Sequence, residues 1–273
     1  LIDEEARMLN DPVLQKLDDN LFWLSIADSD VLLWAKGLAY GLGLNVKVDE
    51  PDVSPLAIQG PKAGALMSEL FGETVNSLSY FGFAMFNVLG TRQLIARSGY
   101  SKQGGYEIYL NGSQLGSDLW DLIWESGKKY NIAPGCPNLI ERIEAGLMSY
   151  GNEFTRSNNP LECGFEHVCY FGDDVDYIGK TALLKLAKTG PKQKIRGIKF
   201  DGDKTPPCNK PFTVTSIDKN VIGQVTSGTY SPRLNCNIGI SMIKKGHWEN
   251  GTQIIVHTPD GLARKGIISS FPL

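Results

Sequence analysis

The sequence predicts an α+β body of mixed sheets with helices, residues 1–190, followed by a small all-β domain, residues 191–273. Three observations carry this. The length of 273 residues suits two domains better than one, at about 100–150 residues each. Up to residue 190, strand-like and helix-like patterns intermingle. Beyond the polar break Gly190-Pro191-Lys192-Gln193-Lys194, which reads as a linker, only short strand candidates separated by turns remain. Such spacing suits a barrel or a sandwich.

In chain order, Val13–Leu17 and Leu21–Ala27 form a hairpin across the turn Asp18-Asp19-Asn20. Asp28-Ser29-Asp30 offers N-caps for a helix over Val31–Leu42, which Gly41 and Gly43 end. Asn45–Asp49 is a strand candidate, and Ser54–Gln59 a short buried strand. Gly60-Pro61 opens a helix with Ala63, Leu66, Met67 and Leu70 at helical spacing. Phe81–Leu89 and Arg92–Arg97 pair around Gly90. Gln114–Tyr130 is an amphipathic helix whose Trp120 and Trp124 are expected in the core. Pro137–Gly151 and Tyr177–Ala187 complete the helices. In the second domain the strand candidates are Ile195–Phe200, Phe212–Ser216, Val221–Thr226, Cys236–Met242 and Gln253–His257.

Composition narrows the function classes. The chain is 42% hydrophobic and 21% charged, as soluble globular proteins are. A net charge of -3 gives no reason to expect nucleic acid or an anionic membrane as partner. No apolar run reaches the ~20 residues of a membrane span. Five cysteines, an odd number without a CxxC pair, fit a reducing cytoplasm rather than a disulfide framework. His167, His247 and His257 are scattered, so neither a zinc site nor a histidine triad is expected. The start at Leu1 rather than Met leads to the expectation of a missing upstream segment.

The stretch Arg97–Leu110 holds the chemistry best. Gly99, Gly104 and Gly105 break the incoming strand and let the backbone approach a neighbour closely. Tyr106–Leu110 then reads as a strand, with Tyr106, Ile108 and Leu110 on one face and Glu107 and Tyr109 on the other. Taken alone, this reads more readily as an edge strand with a solvated polar face. The glycine turn is no phosphate loop, because it lacks the Gly-Lys-Ser/Thr ending and a strand follows it. Gly41-Leu42-Gly43 is too short for a dinucleotide fingerprint. Cys169, near Asp173 and Asp174, has nothing beside it to lower its pKa. The cluster Asp173, Asp174 and Asp176 lacks a calcium-loop pattern. Arg142 and Glu144, two apart on a helix, cannot share its face.

Ordered segments add a resemblance. Leu56–Ala63 resembles "ALQGPKA", Ser98–Ile108 resembles "TGYTGEDGFEI", and Arg142–Gly146 with Tyr150-Gly151-Asn152 resembles "RLEAGxxLYGxD". Asn159–Glu162, Ile178–Leu183, Val225–Pro232 and Asn237-Ile238-Gly239 continue the series nearly to the end of the chain. The whole is similar to the folate-binding aminomethyltransferase family, that of the glycine cleavage T-protein. The resemblance implies a T-protein-like folate-binding body, a C-terminal β barrel and tetrahydrofolate as cofactor. Where the family begins its hairpin with a catalytic aspartate, this chain has Asn10, and Asn138 stands in place of the family arginine. "YTGEDGFE" becomes Tyr100-Ser101-Lys102-Gln103-Gly104-Gly105-Tyr106-Glu107. These departures, with Met8–Val13, Ser25–Asp30, Pro134–Arg142 and Gly151–Arg156, are similar to the branch that demethylates dimethylsulfoniopropionate.

The resemblance implies methyl transfer from that sulfonium to tetrahydrofolate, giving methylmercaptopropionate and 5-methyltetrahydrofolate. It assigns catalysis to Asn10, cofactor binding to Glu107, Tyr109, Ile26 and Asn138, and substrate binding to Tyr100, Ser101 and Trp23, with no metal. Partners are the sulfonium and folate, and a homodimer stays open. Two alternatives stand beside it. One is another folate-dependent aminomethyltransferase or amine demethylase, against which Asn10 argues. The other is a non-catalytic folate-binding iron–sulfur assembly factor, whose "KGCYxGQE" motif Cys169–Asp173 overlaps only superficially.

Overall fold

The computed structural model describes residues 1–26 and 31–273. The expected caps Asp28, Ser29 and Asp30 lie outside the described residues, as does Ala27. Two compact units form, one from Leu1–Val48 with Leu139–Leu273, the other from Asp49–Asn138.

The Asp49–Asn138 unit is a four-stranded antiparallel sheet with two helices. Its elements are β3 (Val53–Gln59), α2 (Ala63–Phe71), β4 (Phe83–Val88), β5 (Thr91–Ala96), β6 (Gly105–Asn111) and α3 (Gly116–Gly127). The other unit carries β1 (Val13–Asp18), β2 (Leu21–Ser25) and α1 (Val31–Gly41) before them in the chain. It continues after them with α4 (Leu139–Ala145), α5 (Lys180–Thr189) and β7 to β12. Those six strands are Gln193–Phe200, Phe212–Thr215, Val221–Ser231, Cys236–Lys244, Gln253–His257 and Ala263–Ser269.

In the smaller unit the strand order is β3-β6-β5-β4. The strand expected from Tyr106 to Leu110 is therefore interior, and the edge-strand alternative falls. Period-two alternation explains its packing. Ile58, Ile95, Tyr106, Ile108 and Leu110 enter one core with Leu66 and Met67 of α2 and Leu119 and Ile123 of α3. The helices supply this stripe because their apolar residues recur three or four apart. Trp120 departs from expectation: it is 46% exposed and stacks on Trp124 with ring centres 6.3 Å apart. Leu119 and Ile123, not the tryptophan pair, point inward from α3.

In the larger unit β7 to β12 close into a barrel in the order β10-β7-β12-β11-β8-β9. Ile198, Phe200, Phe212, Val214, Val225, Ile254, Val256 and Ile268 fill it. Closure needs β12, which the sequence pattern did not disclose. Its buried side chain at 264 is an arginine, satisfied by Thr258, Asp260 and the Asp203 carbonyl, so no apolar alternation marks it. β9 and β10 also run beyond the segments expected, and β7 already begins at Gln193.

Three further expectations are corrected. Asn45–Asp49 is irregular rather than a strand, and Val46 is 55% exposed. The helix expected over Pro137–Gly151 spans only Leu139–Ala145, because Gly146 turns the chain at φ 77°. The helix expected from Tyr177 starts at Lys180, after Gly179 at φ 85°.

Buried charges tie α4 to the barrel. Arg142 donates to Glu153 Oε2 at 2.8 Å and to Ser227 Oγ at 2.6 Å, while the Ser227 hydroxyl also meets Glu153. Glu144 accepts from Ser231 Oγ at 2.5 Å and Arg233 Nε at 2.8 Å. Residues two apart on α4 thus serve two separate networks. Replacing Glu153 by Ala strands the Arg142 guanidinium, which is expected to cost about 3–5 kcal/mol in urea unfolding. A loss under about 1 kcal/mol would show that water readily compensates the arginine.

Candidate functional site

Pairing register builds the first group of site residues. In the sheet, Glu107 stands between Ala57 of β3 and Ala96 of β5, its direct cross-strand partners. Partners in register share a face, so the carboxylate rises between two of the smallest side chains. Tyr109, two residues on, lies between Pro55 and Leu94 on the same face and is 4% exposed. On this face Glu107 is half-buried and Ala57 exposed, while Ala96, Leu94 and Tyr109 are buried.

The glycine turn packs against this strand through one side chain. Gln59 Nε2 donates to the Ser98 carbonyl at 3.0 Å and to the Tyr106 carbonyl at 3.2 Å. Its Oε1 accepts from Ser101 Oγ at 2.7 Å. The Ser98 hydroxyl donates to Glu107 Oε2. Gly99 (φ 156°) and Gly105 (φ 152°) make the closeness feasible. A Cβ on Gly99 would overlap the Gln59 carboxamide, and one on Gly105 would overlap the Ile58 carbonyl oxygen. Ser101 and Glu107, both expected in the site, are thereby joined through Gln59 and Ser98. Tyr100 sits in the same turn, 38% exposed. Asn138 is exposed and lies just before α4.

The second group lies in the larger unit. Asn10 precedes β1 and is 2% exposed. Its Oδ1 accepts from the Asp11 amide at 2.8 Å, while its Nδ2 has no hydrogen-bond partner among the described residues. A buried orphan donor costs on the order of 1–3 kcal/mol. Trp23 is half-buried and pairs in register with Gln15 across the hairpin; Ile26 follows β2, also half-buried. Asp11 is exposed by area, yet desolvation of its carboxyl is the largest influence and pushes its pKa up to about 6. That exposed surface keeps any effect on stability small. Burial likewise pushes the Cys169 thiol up, which leaves it an inert thiol at neutral pH.

Sequence reasoning gave no role to Gln59, Ser98 or Gln15. Gln15 is 2% exposed, and neither its Nε2 nor its Oε1 finds a partner among the described residues. The nearest sequence signal for Gln59 and Ser98 was the glycine pair at 99 and 105, which demands something closely packed on it. What packs there comes from β3, some forty residues upstream, and no local pattern points to it.

Gly105→Ala sets a Cβ against the backbone of β3 rather than against a movable side chain. We expect it to break the Gln59–Gly105 end of the β3–β6 ladder and to speed amide hydrogen exchange there, sparing the barrel strands. Wild-type exchange at Gly60 and Tyr106 would contradict this.

Comparison with known proteins places the chain. A family model described as the GCVT N-terminal domain matches residues 1–172, and one described as the glycine cleavage T-protein C-terminal barrel domain matches residues 193–273. A dimethylsulfoniopropionate demethylase of Ruegeria pomeroyi is 45% identical over 96% of this chain and 71% of its own length. An aminomethyltransferase of Caldanaerobacter subterraneus is 34% identical over 94% and 69%. The crystal structure of the glycine cleavage system aminomethyltransferase T from Bartonella henselae superposes with a TM-score of 0.82 at 21% identity, covering 100% of this chain and 74% of that one. At that identity the likeness speaks for the fold, and it matches the α+β body and the C-terminal barrel. The chain belongs to the glycine cleavage T-protein family.

Proposed function

We propose that this protein transfers a methyl group from dimethylsulfoniopropionate to N5 of tetrahydrofolate, releasing methylmercaptopropionate and 5-methyltetrahydrofolate. The observation that carries the proposal is Asn10, a buried neutral amide with an unpartnered Nδ2 where the aminomethyltransferases resembled in sequence hold a carboxylate. The greater identity to the demethylase of Ruegeria pomeroyi than to the aminomethyltransferases supports the same choice.

The chemistry explains why a neutral group suffices. Aminomethyl transfer releases ammonia and needs a carboxylate through its cationic and proton-transfer steps. A sulfonium leaves as a neutral thioether. The carbon–sulfur bond breaks as the carbon–nitrogen bond forms, and the N5 proton departs to solvent. Tetrahydrofolate supplies the nucleophilic nitrogen when bound. The protein's task is to align acceptor, methyl and sulfur, which proximity and orientation reward. Asn10 offers its free Nδ2 as a hydrogen-bond donor without adding a charge.

The carboxylate of Glu107 accepts from the donors of the pterin ring, beside the short, exposed side chain of Ala57. Tyr109 lines that face, and Ile26 and Asn138 are further cofactor contacts carried over from the family resemblance. Trp23 and Tyr100 are the substrate contacts carried over from the family resemblance, and aromatic rings attract cations through their quadrupoles. Ser101 spends its proton on Gln59, so toward a cation it offers oxygen lone pairs. Five cysteines without a disulfide favour a cytoplasmic setting. Among the described residues no helix is long and apolar enough to cross a membrane.

The protein incubated with dimethylsulfoniopropionate and tetrahydrofolate should yield 5-methyltetrahydrofolate by mass spectrometry; absence of methyl transfer overturns the proposal. Glu107→Ala should weaken tetrahydrofolate binding by about tenfold or more, the scale of a lost charge-assisted hydrogen bond. Unchanged affinity would remove Glu107 from the pterin site.

A further inference from the structure

We propose that Ser98 and Gln59 are positioning residues for Glu107, fixing the direction of its carboxylate before the folate arrives. The inference rests on the folate role of Glu107 given above.

A glutamate on a strand carries three rotatable bonds. Left in solvent it loses that freedom when it meets a ligand, and affinity falls accordingly. Here the loss is taken on folding. The Ser98 hydroxyl, on a residue 4% exposed, donates to Glu107 Oε2 and so fixes one of the two carboxylate oxygens. Ser98 in turn cannot drift, because Gln59 Nε2 holds its carbonyl at 3.0 Å. The same nitrogen holds the carbonyl of Tyr106, the residue before Glu107, at 3.2 Å. One carboxamide thus pins both ends of the turn that separates Ser98 from Glu107. Its remaining acceptor is satisfied by Ser101 at 2.7 Å, which fixes the amide's orientation with the nitrogen toward the two carbonyls. Gly99 and Gly105 supply the space, since a Cβ at either would collide with Gln59.

A group that acts through Glu107 has no effect once Glu107 cannot respond. This makes a double-mutant cycle decisive. Tetrahydrofolate is titrated into the wild-type protein, Ser98→Ala, Ser98→Thr, Gln59→Met, Glu107→Gln and the doubles Ser98→Ala/Glu107→Gln and Gln59→Met/Glu107→Gln. Ser98→Ala and Gln59→Met should each bind about tenfold more weakly, one lost hydrogen bond to a charged group or its support. Ser98→Thr, which keeps the hydroxyl, should return to within about twofold of wild type. Each double should bind no more weakly than Glu107→Gln alone. Equal losses in both backgrounds would make the two residues merely structural and overturn the inference. So would wild-type affinity in Ser98→Ala. Failure of the wild-type protein itself to bind tetrahydrofolate would instead overturn the folate role of Glu107, and the inference with it.

Discussion

The antiparallel pairing of β3 with β6, from Val53–Asn111 to Gln59–Gly105, is the constraint on which the smaller unit depends. It orients Tyr106, Ile108 and Leu110 into the core and therefore turns Glu107 and Tyr109 the other way. A slip of one residue would exchange the two faces, burying the carboxylate among leucine and isoleucine side chains. Burial of several large apolar side chains, each stabilising by about 1.5–3 kcal/mol, holds the register against that slip. The pairing ends where Gly105 meets the Ile58 carbonyl, a contact no side chain permits. Function and fold are linked here, because the residue that closes the ladder also starts the turn that Gln59 and Ser98 organise.

Polar groups in the larger unit obey a different economy. Arg142, Glu144 and Glu153 are buried charges, and their desolvation offsets much of their mutual attraction. Their value lies in matching: Arg142 with Glu153 and Ser227, Glu144 with Ser231 and Arg233. Such pairs fit only one seating of α4 against β9. Asn10 and Gln15 contrast with them. Both are as deeply buried, yet three of their amide atoms have no partner among the described residues. The structural charges are satisfied and these amides are not, a contrast that agrees with the role proposed for Asn10.

An amide in place of a carboxylate is nearly isosteric, so the exchange proposed at position 10 is chiefly one of charge and hydrogen bonding. A carboxylate stabilises developing positive charge and shuttles protons. An amide does neither, but it donates a hydrogen bond and leaves a cationic substrate's charge to be met by aromatic faces and oxygen lone pairs. Methyl transfer from a sulfonium needs alignment more than proton traffic, so the exchange suits the proposed reaction.

The sequence by itself determined the periodicities. The face assignment of Glu107, the hairpin Val13–Ser25, most barrel strands and the family follow from local pattern and motif order. It also left Arg142 and Glu144 on separate faces of their helix, as the two networks require. Tertiary structure decided what depends on distant partners. β6 became interior rather than an edge because β3 and β5 pair with it on either side. Ala263–Ser269 became a strand because the barrel needed closing, although an arginine occupies one of its two buried positions. Trp120 stayed at the surface because Leu119 and Ile123 already filled the stripe facing the sheet. The organisation around Glu107 likewise came from Gln59, far away in the chain, since hydrogen bonds between side chain and backbone follow proximity in space and leave no period in the sequence.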